Sequence, residues 1–204
     1  MRNRTDLADL LNTSGLLGYG VEVGVREGRF SNRLLTEWRG RQLVMVDAWS
    51  TDLPHLNDSV GTISERKMTS WKAAAEKVAG RFGDRVCVMQ ALSLDAAAEF
   101  PGGFLDFVYL DANHGYDPEG KWGIVADLAA WWPKLRVGGV FSGHDYFLAR
   151  CKPNGAPEFV ECEQDAELEV YGVKKAVDEF AAKLGVEVLA TTHDLCASWW
   201  WVKT

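Results

Sequence analysis

The chain has 204 residues and a mass of 22.6 kDa, enough to bury a substantial core as a single domain over residues 1–204 and too short for a two-domain enzyme. With 47% hydrophobic and 25% charged residues, and its 20 Gly and 6 Pro scattered along the chain, it has a globular composition that excludes disordered and collagen-like classes. Its 22 basic and 29 acidic residues leave a net charge of −7, and without a basic stripe to displace counterions from phosphate, nucleic acid is not the expected partner.

Residues 1–16 read as an N-terminal helical segment. Their start, MRNRTDLADLL, carries acids where a signal peptide has its apolar region, and no run approaches the roughly 18 apolar residues of a membrane span, so a cytoplasmic protein off the membrane is expected. Val21–Val25 is the first strand candidate, followed by a helical stripe of Phe30, Leu34, Leu35 and Trp38 that Gly40 stops. Leu43–Val46 is the second strand. It leads into a long polar stretch, Ser50–Ser70, that reads as an insertion. Val86–Met89 and Phe107–Leu110 are the third and fourth strands. Asp117 and Pro118 then predict the N-cap and first turn of a helix carrying Ile124, Val125, Leu128, Trp131 and Trp132, closed by Pro133. Val140 and Phe141 mark the fifth strand, and Phe147–Tyr171 is a second insertion. A helix through Val173, Ala176, Val177, Phe180 and Leu184 ends at Gly185, and VEVLATT with SWWWVK forms a closing antiparallel hairpin. Strands alternating with helices predict a parallel sheet with helices on both faces. Both insertions follow strands, where they can cover the carboxyl edge of the sheet and contact a substrate. The tryptophans of the tail and of residues 131–132 read as packing residues, with a homodimer interface as the other use of the tail. Cys87, Cys151, Cys162 and Cys196 form no C-x-x-C pair, so core or incidental thiols are expected.

The segment VEVGVREGRFS places Glu22 in the first strand, Gly24 at its end, Gly28 four residues on and Ser31 in the helix that follows. These glycines let the backbone turn sharply against a ligand. The dinucleotide fingerprint, however, is G-x-G-x-x-G, whereas this chain has G-x-x-x-G with a carboxylate beneath it, which repels a diphosphate. A cationic ligand suits it better. S-adenosylmethionine carries a sulfonium and an ammonium that Glu22 can orient directly or through water. Asp47, ending the second strand, can accept hydrogen bonds from ribose hydroxyls. Trp49 can flank the adenine or the substrate, and Ser93, after the third strand, can either hydrogen-bond the base or cap the helix LDAAAEF.

With these motifs and VYLDANHGYDPEGKWGIVADLAAWWPKLRVGGVFSGHDY on the page, the chain resembles the class I S-adenosylmethionine-dependent methyltransferases, within them a small bacterial family related to the macrocin-type O-methyltransferases. The resemblance implies a Rossmann-like α/β fold with a seven-stranded sheet of order 3-2-1-4-5-7-6, strand 7 antiparallel. In metal-dependent relatives, an Asp ending strand four and two groups ending strand five hold a divalent cation, usually Mg2+. Asp111 and Asp145 match two of those places and His144 the third, where an imidazole favours a softer metal or none. Asp111 also borders the cofactor. Catechol-type relatives keep a base three residues past the first metal-binding Asp, and His114 stands there. An imidazole can take an acceptor's proton near neutral pH. The expected chemistry is methyl transfer to a hydroxyl of a small molecule such as a sugar or natural-product intermediate, with His114, Asp111 and His144 catalytic. His55 and His193 receive no role. The alternatives are a nicotinamide-dependent oxidoreductase of Rossmann type, which needs the closer glycine spacing, and a non-catalytic cofactor-binding protein, which needs no acid–base cluster.

Overall fold

A computed structural model of the chain describes residues 1–53, 63–154 and 156–204, so His55 lies outside the described residues. The described residues form strands β1 (Tyr19–Val23), β2 (Gln42–Asp47), β3 (Val86–Gln90), β4 (Leu105–Leu110), β5 (Leu135–Gly143), β6 (Ala149–Cys151), β7 (Pro157–Phe159), β8 (Leu189–Ala190) and β9 (Trp199–Val202). The α-helices among the described residues are α1 (Leu7–Thr13), α2 (Arg29–Glu37), α3 (Glu65–Gly80), α4 (Ser93–Ala98), α5 (Gly123–Trp131) and α6 (Val173–Leu184).

The main sheet has seven strands in the order β3-β2-β1-β4-β5-β9-β8. Neighbours from β3 to β5 are parallel, and β9 runs antiparallel to both β5 and β8. Since β6 and β7 form a separate ribbon, this is the expected Rossmann-like methyltransferase order.

The two-residue period of the strands divides the core into two layers. Val21, Val23, Val44, Val46, Val108 and Leu110 face α4, α5 and α6. Leu43, Met45, Phe107 and Tyr109 face α1, α2 and α3. Every residue of β4 is buried, as befits a strand flanked by neighbours and covered on both faces. Trp199 and Trp201, 0% and 2% exposed, pack into the first layer.

Several sequence expectations change. The helix expected at Asp117 begins at Gly123, because the Asp117 carboxylate accepts the N–H groups of Glu119 and Lys121 and closes a local turn. The first insertion is shorter than Ser50–Ser70, since Ser64 caps α3 by accepting the Lys67 N–H at 3.3 Å. The second contains the β6–β7 ribbon. Of the two expectations for the cysteines, core or incidental, the exposed Cys87 and Cys162 take the incidental one. No described helix is long and apolar enough to cross a membrane.

Candidate active site

The carboxyl edge of the sheet gathers most of the singled-out residues. Gly24 has φ +92°, and a Cβ there would lie 2.1 Å from the Asp111 carbonyl oxygen, so only glycine lets the end of β1 touch the end of β4. Gly28, at φ +80°, is the N-cap of α2 and directs the helix's free N–H groups at the turn. Beneath the turn Glu22 is 2% exposed. Burial pushes its carboxyl up to about 8, the Ser31 hydroxyl opposes this, and the charges of Asp111 and Asp47 add to it. Ser31 is fully buried against Glu22, yet neither Glu22 Oε2 nor Ser31 Oγ closes a well-directed hydrogen bond.

Asp47 ends β2 with Oδ2 accepting the Arg26 N–H at 2.7 Å and Oδ1 accepting the Trp49 N–H at 2.8 Å. Burial raises its pKa against these backbone donors. The Val25 N–H acts on the same carboxylate, and since a carboxylate accepts about four hydrogen bonds, capacity remains for a hydroxyl. Trp49 is 6% exposed and its indole N–H donates to the Arg26 carbonyl at 2.7 Å, so it braces the glycine turn from below. Ser93 does not cap α4, whose N-cap is Leu92. Its hydroxyl accepts the Trp131 indole N–H at 2.9 Å and interacts with buried Asp127, tying α4 to α5.

The ends of β4 and β5 bring two carboxylates and two imidazoles together. His114 Nε2 lies 2.8 Å from Asp145 Oδ2 and 3.8 Å from Asp111 Oδ1. His144 Nδ1 lies 3.0 Å from Asp145 Oδ1 and 3.7 Å from Asp111 Oδ1. Burial pulls the His114 pKa down, but its contacts with Asp111 and Asp145 outweigh this and raise it to about 10. Burial pushes Asp145 up, and the two histidines reverse this and hold it far below the usual carboxylate range. Flanked by both acids, the His114 imidazole holds its proton at neutral pH. One oxygen or nitrogen from each of Asp111, His114 and Asp145 falls within 4.8 Å of the others. His144 is outside that group.

Arg26, Trp49 and Asp145 are the non-glycine residues with left-handed φ among the described residues, at +54°, +41° and +56°. All three stand just past strand ends at this edge, where strain is held by the surrounding structure. The second insertion returns onto the same edge: the Tyr116 N–H donates to the Leu168 carbonyl, and the Gly172 N–H to the His114 carbonyl.

Sequence reasoning gave no role to Arg4, Tyr109 or Cys196. The Arg4 guanidinium lies 3.6 Å from Asp111 Oδ2 and 5.3 Å from the centre of the Phe30 ring, and it interacts with the Tyr109 hydroxyl. The Cys196 thiol, beside Asp145, is pushed up to about 11 by burial and by that carboxylate. Strand alternation could have found Tyr109, two residues before Asp111. Nothing in the sequence points to the other two.

A family profile described as a methyltransferase domain matches residues 21–146. No curated protein matches the chain by sequence. Among solved structures, an O-methyltransferase from Bacillus cereus in complex with SAH is similar at TM-score 0.60 and 16% identity, over 98% of this chain and 80% of that one. The 1,6-didemethyltoxoflavin-N1-methyltransferase from Burkholderia thailandensis, with S-adenosylhomocysteine bound, gives 0.56 and 17%, over 98% and 77%. Spermidine synthase from Thermotoga maritima gives 0.58 and 12%, over 99% and 61%. At these identities the likeness shows a shared fold, which by itself does not select the acceptor atom.

Proposed function

The chain belongs to the methyltransferase-domain family, and on that premise we propose that it transfers the methyl group of S-adenosylmethionine to a hydroxyl of a small molecule. The observation that carries the cofactor reading is Glu22, 2% exposed beneath the Gly24 turn with Oε2 unpartnered. A carboxyl raised to about 8 is mostly neutral at pH 7 and ionises when a cation lies against it. It favours a sulfonium and ammonium over a diphosphate, and so disfavours the nicotinamide reading. Asp47 keeps acceptor capacity for a ribose hydroxyl beside its backbone donors.

Methyl transfer is an in-line displacement: the acceptor oxygen forms a bond to the methyl carbon as the carbon–sulfur bond breaks, and the acceptor's proton must leave. His114 takes that proton once the bound ligands draw Asp111 and Asp145 away from its imidazole. The loss of a catalytic cluster that a purely binding protein would tolerate has not happened here. A divalent ion held by Asp111, His114 and Asp145 would be of the borderline kind rather than Mg2+, whose preference is for oxygen ligands alone, and with it bound His114 would be a ligand instead of the base. Such an ion would polarise the acceptor hydroxyl.

Calorimetry with S-adenosylmethionine and S-adenosylhomocysteine, in buffers of different ionisation enthalpy, tests this reading. Binding with release of a proton is expected, and Asp47→Ala should weaken it by roughly tenfold or more. His114→Ala should leave that affinity near wild type and slow turnover. Failure of the wild-type protein to bind either compound overturns the cofactor assignment, and full turnover by His114→Ala removes it as the base.

A further inference from the structure

We infer that Arg4 binds the α-carboxylate of the cofactor's methionine moiety, making the N-terminal segment part of the cofactor site. This rests on the S-adenosylmethionine reading above and extends it to a residue far from the glycine turn in sequence.

The amino-acid end of that ligand is a zwitterion, and the edge of the sheet is built for only half of it. Glu22, Asp47 and Asp111 act on one another electrostatically, so the site attracts an ammonium and repels a carboxylate. Some fixed positive charge must offset this. The two imidazoles are engaged by Asp145. Arg26 lies over the Trp71 ring, 4.4 Å from its centre, and pairs with Glu27. Lys174 pairs with Asp178 on α6. Among the described Lys and Arg side chains, Arg4 is the one in an ion pair with Asp111.

Its seat is constructed. The Arg4 N–H donates to Asp194 Oδ2 at 2.7 Å, and the Arg2 carbonyl accepts the N–H groups of Thr192 and His193 at 3.1 and 2.9 Å, which fastens the segment to the β8–β9 loop at the carboxyl edge. The guanidinium lies against Phe30 in the first turn of α2, the helix that starts at the glycine turn. At 3.6 Å from Asp111 it makes a loose pair, and its side chain is 35% exposed, so the planar fork of donors keeps capacity for a carboxylate, which it fits in bidentate fashion.

The test compares S-adenosylhomocysteine with its decarboxylated analogue, which keeps the adenosine, sulfur and amine, by calorimetry on the full chain. Wild type should prefer S-adenosylhomocysteine by roughly tenfold or more, the range of a charge-assisted pair. Arg4→Gln should abolish that preference by weakening S-adenosylhomocysteine while leaving the analogue within about twofold of wild type. Arg4→Lys should restore part of it. Because each preference is a ratio within one protein, partial loss of fold does not mimic it. Equal weakening of both ligands, no weakening of either, or a wild type without preference overturns the role of Arg4 alone. A wild type that binds neither ligand overturns the cofactor reading and this inference with it.

Discussion

Asp127, in α5, is 4% exposed, and burial lifts its carboxyl to about 7 against the opposing influence of Ser93 and His114. An acid whose folded pKa lies above its unfolded value of 3.8 binds more protons in the native state, so stability falls as pH rises from about 4 to 7 and then levels. Asp127→Asn removes this dependence. In urea denaturation the variant's stability relative to wild type should grow by about 2–3 kcal/mol between pH 5 and pH 8. A constant difference would show that Asp127 is not a buried acid of this kind. At this scale the sequence reveals residues whose chemistry conflicts with their strand: Glu22 between valines, or Asp111, His114, His144 and Asp145 at apolar strand ends. It hides Arg4, an ordinary residue in a polar opening segment, because its meaning lies in a contact with Asp111 made through the fold.

The strand–turn–helix unit from β1 to α2 depends on backbone geometry more than on side chains. Gly24→Ala would force a residue with a Cβ to φ +92° and press it to 2.1 Å from the backbone of Asp111. The strain of the left-handed region, about 1–2 kcal/mol, adds to displacement of β4. The variant should lose about 3 kcal/mol or more of stability in chemical denaturation. Near-wild-type stability would mean that β1 and β4 can separate at that point. Strand existence is legible from apolar runs, but ends are not: β5 extends over Leu135–Gly143 because pairing with β4 and β9 recruits residues with no strand signal of their own. The start of α5 is misread because an Asp-Pro pair serves equally for an N-cap and for a turn, and the Tyr116–Gly123 bridge selects the turn.

Across the whole molecule, β9 closes the sheet and its indoles bind the sheet to the helices. Trp201 lies 5.4 Å from the Phe141 ring and 6.2 Å from that of Trp132, and stacks on Trp199 at 5.1 Å. Trp201→Ala should cost about 3–5 kcal/mol through lost burial and a residual cavity, with ligand affinity per folded molecule unchanged. A smaller loss of stability would mean that the cluster collapses around the gap. The sequence alone determined the alternation of strands and helices, hence the layered α/β class, since hydrophobic period and glycine placement are local properties of the chain. It also determined that acids and imidazoles end strands four and five. Tertiary structure alone decided that both imidazoles stand against Asp111 and Asp145, that the second insertion folds back on the His114 loop, and that the N-terminus brings a guanidinium to Asp111. Those are distances between segments remote along the chain, and they exist only after the sheet has assembled.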